Sequence, residues 1–268
     1  MFIDTHCHLD FAVFARDLLE VFNAAYKNDV GLFLVPAIDL SSSGETLAFC
    51  QKNSNVYAAI GVHPNDIENL TPRQIMEGLK RLSGDKNLVA IGEIGLDYHH
   101  NSTERNLQID VFCTQVEFAI EHDLPVIVHS REAMDDVQKI LGSYYKKIAT
   151  EFPSAYGVLH SFEGDIKAAQ NAVSLGFMIG IGGPVTYKNA QIKQSVTKAI
   201  PLESILLETD CPFLSPEPLR GRRNEPANIK IIAEKIAFLK ECDIKQVEKQ
   251  TTMNAMSLFN FGAEIDSY

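Results

Sequence analysis

The stretch Phe2-Ile3-Asp4-Thr5-His6-Cys7-His8-Leu9-Asp10 indicates which of two α/β folds this chain adopts. It begins as a short apolar strand and ends in side chains that bind metals well. A doubly wound open sheet that binds a dinucleotide normally places a glycine-rich turn after its first strand, and this stretch contains no glycine. Closed barrels of parallel strands carry their functional side chains at the carboxyl ends of the strands. The stretch therefore favours a barrel over the open sheet.

Apolar runs of this kind recur along the chain and alternate with segments of helical spacing. Strands are predicted at residues 2–8, 31–37, 56–63, 88–96, 125–130, 155–162, 177–183 and 205–210. Predicted helices include residues 16–27, 104–122 and 165–175, and two more, 227–241 and 244–259, follow the last strand. This alternation predicts a (β/α)8 TIM barrel of the metal-dependent hydrolase type. Because no long linker or repeat interrupts it, we expect residues 1–268 to form a single domain.

The composition is that of a globular protein, with 46% hydrophobic residues and a net charge of -11. No apolar run approaches the roughly 20 residues that span a bilayer, and the start Met1-Phe2-Ile3-Asp4 does not resemble a signal peptide. The five cysteines are scattered, with no CxxC pair. We therefore expect a cytoplasmic protein without a disulfide framework. Because the acidic balance repels nucleic acid at long range, a nucleic-acid partner would need a local positive patch or bound metal.

Six side chains of the types that bind metals stand at or near the ends of predicted strands. In an extended strand, Asp4, His6 and His8 share one face. Taken alone, the two histidines could equally be a buried pair without a ligand. In a barrel, however, the whole set converges on the carboxyl-terminal mouth, where barrel enzymes keep their active sites, and packing explains it poorly. The set is His6, His8, Glu93, His129, His160 and Asp210.

Six ligands exceed what one catalytic ion uses, since such an ion keeps a coordination position open. We therefore predict two divalent metal ions, with Glu93 as the best candidate for a bridging carboxylate. Such a pair can activate water and stabilise an in-line phosphoryl displacement, which describes a hydrolase. Asp210 is also a candidate general base, so Asp210 and Glu93 are the predicted catalytic residues. Imidazole ligands suit Zn²⁺ or Mn²⁺, whereas Mg²⁺ prefers oxygen, so Mg, Mn and Zn all stay open.

Six ordered blocks resemble the signature blocks of the TatD family of metal-dependent deoxyribonucleases across essentially the whole chain. They are residues 2–10, 61–64 (GVHP), 92–98 (GEIGLDY), 124–131 (LPVIVHSR), 159–162 (LHSF) and 207–212 (LETDCP). The resemblance implies a TIM-barrel hydrolase with Mg²⁺-dependent DNase activity, often as a 3′–5′ exonuclease. It also implies that His6 and His8 bind the first metal with Asp210, His129 and His160 the second, and Glu93 both. Glu163 departs from the family pattern, and its negative charge would weaken phosphate binding.

Further residues are candidates for substrate contact. His63 ends the third predicted strand and Arg131 follows the fifth, and residues 219–226 contain Arg220, Arg222 and Arg223, the densest positive cluster in the chain. Loops after the last strands of such barrels often hold phosphates; alternatively, these arginines pair with local carboxylates.

Glu208 is expected to orient a metal ligand. Four aromatic residues could stack a terminal base of the substrate: Tyr98, Phe162, Tyr187 and Phe213. The expected partner is DNA, single-stranded or at 3′ ends, bound by a monomer that does not contact a membrane.

Two other functions fit parts of the pattern. An amidohydrolase-type enzyme would use the same metal pair on a C–N or C–O bond, such as a lactone, a cyclic amide or an aminoacyl ester. Related barrels of that kind often bridge their metals with a modified lysine at the place where Glu93 stands. A non-catalytic nucleic-acid-binding barrel predicts loss of ligands, and all six are present.

Overall fold

Eight parallel strands pair in chain order around a barrel in the computed structural model, which describes residues 1–67, 70–100, 102–146 and 156–262. The strands are β1 Phe2–Asp4, β2 Val30–Pro36, β3 Val56–Ile60, β4 Leu88–Asp97, β5 Val126–Arg131, β6 Gly157–Leu159, β7 Phe177–Ile181 and β8 Ile205–Leu207. Helices alternate with the strands on the outside. This architecture confirms the predicted (β/α)8 TIM barrel.

Helices follow the strands, and side-chain caps start some of them. They are α1 Leu18–Lys27, α2 Leu40–Lys52, α3 Pro72–Leu82, α4 Arg105–Glu121, α5 Met134–Tyr145, α6 Ile166–Ser174, α7 Gln191–Ala199, α8 Ile229–Lys240 and α9 Ile244–Phe259. Capping boxes start α2 at Asp39, α3 at Thr71 and α9 at Asp243, and each satisfies backbone N–H groups that the first turn leaves unpaired. None of the helices in these described ranges is long and apolar enough to cross a membrane.

Backbone hydrogen bonds close the barrel between the segments that follow β1 and β8. The Asp210 N–H donates to the His6 carbonyl at 2.8 Å, and the His8 N–H donates to the Cys211 carbonyl at 2.8 Å. Three of the predicted metal ligands, far apart in sequence, therefore lie on adjacent backbone segments.

A packed apolar core fills the barrel below its mouth. Side chains from every strand, from the end of α9 and from the segment after it meet there, including Ile3, Leu34, Ala59, Ala90, Ile127, Val158, Met178, Leu206, Phe259 and Phe261. His129 and His160 lie two residues beyond Ile127 and Val158, so alternation directs their side chains to the same inner face. The core thus supports a polar site at the carboxyl-terminal end of the strands.

Several strands are shorter than predicted, because the chain leaves the sheet to form the mouth. β1 ends at Asp4 rather than at residue 8, and β8 ends at Leu207 rather than at residue 210. The prediction that Asp4 shares a face with His6 and His8 is wrong, since strand alternation stops at Asp4, whereas His6 and His8 do lie together. The Asp4 carboxylate instead accepts hydrogen bonds from the backbone N–H and hydroxyl of Thr209. The predicted start of the sixth strand, residue 155, lies outside the described residues.

Candidate metal centre

Glu93 lies at the middle of a group of histidines and directs its two carboxylate oxygens toward different rings. Oε2 is 3.4 Å from Nε2 of His6. Oε1 is 3.0 Å from Nδ1 of His129 and 3.9 Å from Nε2 of His160. Nε2 of His63 lies 3.7 Å from the same Oε1. Because Glu93 is only 5% exposed, its charge acts on these neighbours with little screening by water.

A glycine permits the close approach of β4 and β5 at this level. Gly95 pairs with His129 in the sheet register and has a φ of 142°, which side chains rarely tolerate. A Cβ atom there would overlap the carbonyl oxygen of His129. Gly95 therefore lets β4 carry Glu93 close to the imidazole on the neighbouring strand.

Asp210 faces Glu93 from the closing seam of the barrel. Its Oδ1 lies 3.6 Å from Nε2 of His8 and 3.8 Å from Nε2 of His6. The imidazole of His6 also stacks on that of His160, with ring centroids 3.5 Å apart. The two ends of the chain and its middle thus supply donors to one compact cluster.

Two buried carboxylates lie behind the histidines. Oδ2 of Asp97 is 3.4 Å from Nε2 of His129, and Oε2 of Glu208 is 3.2 Å from Nδ1 of His160. Each contact is on the ring nitrogen that faces away from Glu93. Glu208 therefore makes the contact with a ligand that the sequence predicted, whereas the contact of Asp97 was missed.

The charged groups of the cluster shift one another's pKa values strongly. Burial opposes ionisation of Glu93, but the charges of His160 and His6 outweigh it and hold the pKa of Glu93 well below its usual range. Burial likewise disfavours protonated histidines, yet contacts with carboxylates raise the pKa of His129 to about 9 and that of His160 to about 10. Burial and the nearby charge of His160 lower the pKa of His6. Without bound cations, protons on the imidazoles therefore balance the negative charge of the carboxylates.

Three buried ring nitrogens of the histidines that follow β1 have no hydrogen-bond partner among the residues that the structure describes: both nitrogens of His6 and Nδ1 of His8. Leaving one such atom unpaired costs about 1–3 kcal/mol. Donor atoms of His6, His8 and Glu93 lie within 4.8 Å of one another, as do those of His63, Glu93 and His129. This unsatisfied, closely spaced set fits divalent cations.

A cleft of about 190 Å³ opens beside the cluster. Arg131, which lines this cleft, is exposed and forms no ion pair with a described residue. Lys193 from α7 also reaches this cleft, and its ammonium donates to the carbonyls of Ser161 and Phe162. Burial lowers the pKa of Lys193. The lining is His129, Ser130, Arg131, His160, Ser161, Glu163, Pro184, Lys193, Asp210 and Leu214.

The three arginines of the loop after β8 have different surroundings. The guanidinium of Arg223 bonds to both oxygens of Asp17 and to Glu225. Arg220 lies over the ring of Tyr187, 4.3 Å from its centroid, and Arg222 is exposed. Arg223 thus shows the pairing with local carboxylates that the sequence left open, while Arg220 and Arg222 stay accessible.

A TIM barrel with a cluster of imidazoles and carboxylates at its carboxyl-terminal mouth defines the class of metal-dependent hydrolases. A family model described as TatD related DNase matches residues 3–260. The chain therefore belongs to the TatD family, and it is a TatD-type metal-dependent hydrolase.

Individual relatives agree over nearly the whole chain. The uncharacterized metal-dependent hydrolase YabD of Bacillus subtilis is 39% identical, over 97% of this chain and 99% of its own. The 3'-5' ssDNA/RNA exonuclease TatD of Klebsiella pneumoniae is 33% identical, over 96% of this chain and 97% of its own. The crystal structure of YjjV, a TatD homolog from Escherichia coli, superimposes with a TM-score of 0.88 at 32% identity, over 97% of this chain and 98% of that one.

Proposed function

We propose that this hydrolase is a deoxyribonuclease that removes nucleotides from the 3′ end of single-stranded DNA, using two divalent cations (Mg, Mn or Zn). The observation that carries the proposal is the arrangement around Glu93, whose two oxygens face different histidines. His6, His8 and Asp210 would hold one cation and His129 and His160 the other, with Glu93 shared. The relative named as a 3'-5' ssDNA/RNA exonuclease supports the substrate class.

The protein's own groups have separate roles in this reaction. Bound cations would activate a water and offset the charge that builds on the phosphate oxygens. Asp210 is the candidate general base, because its side chain is 15% exposed at the cleft and its pKa lies below the ordinary value. Burial opposes this ionisation, but the hydrogen bond with His8 and the neighbouring histidine charges outweigh it. The carboxylate can therefore accept a proton from the attacking water.

His63 is placed to act on the leaving oxygen. Its Nδ1 accepts a hydrogen bond from the backbone N–H of Asn65 at 3.2 Å, so in the neutral ring the proton is on Nε2. Nε2 of His63 lies 3.7 Å from Oε1 of Glu93. His63 can thus donate a hydrogen bond to a phosphate or leaving-group oxygen beside the cluster.

Two cationic side chains that line the cleft, Arg131 and Lys193, can bind the phosphate of the substrate. Arg131 presents a planar fork suited to phosphate oxygens. Lys193 adds positive potential from a half-buried position. Their charges oppose that of Glu163, which lines the same cleft. Arg220 and Arg222 would then contact the DNA backbone farther out.

The test is digestion of a 5′-labelled single-stranded oligonucleotide by protein that has been stripped with a chelator and reloaded with Mg²⁺, Mn²⁺ or Zn²⁺. We expect a ladder that shortens from the 3′ end, and its loss in Glu93→Gln. The matched control Glu203→Gln changes an exposed carboxylate outside the cleft and should retain the activity.

An intact oligonucleotide under all three cations would contradict the nuclease proposal. Cation-dependent hydrolysis of a lactone or cyclic amide in the same preparations would support amidohydrolase-type chemistry instead. DNA binding that is insensitive to Glu93→Gln, without turnover, would indicate a non-catalytic barrel. The single-domain, cytoplasmic and monomeric predictions stay predictions.

A further inference from the structure

Apolar surface that the core does not use lies at the mouth beside His8. Phe213 is 51% exposed and Leu214 is 40% exposed, although both follow closely after Asp210. Apolar side chains grouped next to a reactive centre usually mark a surface that binds something.

Two aromatic rings within this surface are arranged around the imidazole of His8. The ring of Phe11 stacks on that of His8, with centroids 4.6 Å apart and an interplanar angle of 21°. The ring of Phe213 stands nearly upright to both, with a centroid distance of 6.3 Å to Phe11 and 6.2 Å to His8. The three rings form an aromatic corner, defined here as Phe11, Phe213 and His8, whose inner side is part of the metal centre.

The other aromatic candidates offer less ring surface. Tyr98 and Phe162 are 7% and 3% exposed, and the hydroxyl of Tyr98 donates to Asp136. Arg220 covers one face of Tyr187. Of the four aromatic residues that the sequence indicated for stacking, Phe213 alone is largely exposed.

We infer that the aromatic corner is a subsite that stacks the 3′-terminal nucleobase of a single-stranded substrate; the inference rests on the proposed function. One sugar separates a base from its phosphate, so a scissile phosphate at the cations places its base beside His8. Aromatic faces stack any base. Arg220 and Arg222, exposed on the same loop as Phe213, supply charge for the strand's backbone. The site therefore selects a free, unpaired end without reading its sequence.

The first experiment compares two oligonucleotides that differ only in the 3′-terminal residue, one with a normal nucleotide and one with an abasic tetrahydrofuran residue. Because base stacking contributes about fivefold or more per base, we expect the wild-type protein to prefer the normal end. Phe213→Leu keeps an apolar side chain but loses the ring. It should lower kcat/KM about tenfold on the normal substrate and leave the abasic substrate unchanged.

Two variants serve as controls. Phe213→Trp restores an aromatic face and should restore the preference for the normal end. Phe238→Leu changes a phenylalanine that is 74% exposed near the end of α8 and should behave as wild type. The metal content of all variants, measured by elemental analysis, should be equal.

The second experiment measures binding without turnover. A 2-aminopurine at the 3′ end of an oligonucleotide with a hydrolysis-resistant terminal linkage should lose fluorescence when it stacks in the corner of the wild-type protein, and much less in Phe213→Leu. Equal losses of kcat/KM on both substrates, or no loss on either, would overturn the inference. Failure of the wild-type protein to degrade either substrate would contradict the nuclease proposal instead, and the fluorescence measurement would then decide separately whether the corner binds a base.

Discussion

Nε2 of His129 lies 3.4 Å from Oδ2 of Asp97, on the edge of the imidazole opposite Glu93. Asp97 is fully buried. Its Oδ1 accepts hydrogen bonds from the backbone N–H groups of His99 and His100, and its Oδ2 accepts one from the side chain of Asn65. A carboxylate held this firmly keeps the imidazole proton on Nε2, which leaves Nδ1 free to accept a cation.

The first prediction concerns the proton on Nε2 of His129. In Asp97→Asn the two backbone donors would retain the amide oxygen at the Oδ1 position, so the NH₂ group would face His129. The imidazole proton would then move to Nδ1 and block cation binding there. We expect kcat/KM to fall about 10–100-fold, with partial recovery at high cation concentration.

Calorimetric titration with Mn²⁺ should show one weakened site in Asp97→Asn. The control Asp110→Asn makes the same change at an exposed position on α4 and should alter neither measurement. Full cation affinity in Asp97→Asn, with normal activity, would show that Asp97 does not orient His129.

The second prediction concerns the carboxylate behind His160. A Cβ atom on Gly180 would overlap Oε2 of Glu208 and lie 2.8 Å from its Cδ. Gly180→Ala should therefore displace Glu208 from His160, at a cost of roughly 1–3 kcal/mol in stability and about tenfold or more in kcat/KM. Gly182→Ala is the matched control, because its Cβ would meet only ordinary contacts from 3.4 Å outward. Urea unfolding and steady-state kinetics measure both effects, and equal behaviour of the two variants would refute this role of Glu208.

The third prediction concerns cation removal. Cations that bind only the folded protein stabilise it by about 2.7 kcal/mol at a hundredfold excess over Kd. For a chain of this size that corresponds to roughly 5–10 °C in Tm. Thermal denaturation before and after chelation should show this decrease, and Mn²⁺ or Zn²⁺ should reverse it. Glu93→Gln should respond much less, and an identical Tm with and without tightly bound cations would contradict a cation site in the folded state.

Local signals explain what the sequence could predict. The eight apolar runs and the histidines and acids near their ends are visible because strand burial and ligand chemistry constrain residue types one segment at a time. The barrel then brings those ends together. The first and last strands were predicted too long, since the prediction extended them to His8 and Asp210, whereas the hydrogen-bonded ladder ends at Asp4 and Leu207.

Residues whose contacts depend on distant parts of the chain could not be recognised from the local sequence. Lys193 belongs to a helix that follows β7, and its spacing resembles that of any surface lysine. Asp97 stands in a recognisable block, yet only the register of β4 against β5 places it beside His129. Arg222 and Arg223 are neighbours of the same type, and nothing local shows that Asp17, more than 200 residues away, binds one of them.

The last prediction concerns Arg222 and Arg223, which are neighbours in the sequence but have different contacts. Arg223 ties the loop after β8 to Asp17 beside α1 and packs on the ring of Phe14, so Arg223→Ala should lower Tm by a few degrees. The side chain of Arg222 is exposed and forms no ion pair within the described residues, so Arg222→Ala should leave Tm unchanged. If Arg222 contacts a DNA phosphate, its loss should reduce the slope of log(kcat/KM) against log salt by about one. Thermal melts and a salt series on both variants provide the comparison. An unchanged slope in Arg222→Ala, or an unchanged Tm in Arg223→Ala, would show that the division of roles is incorrect.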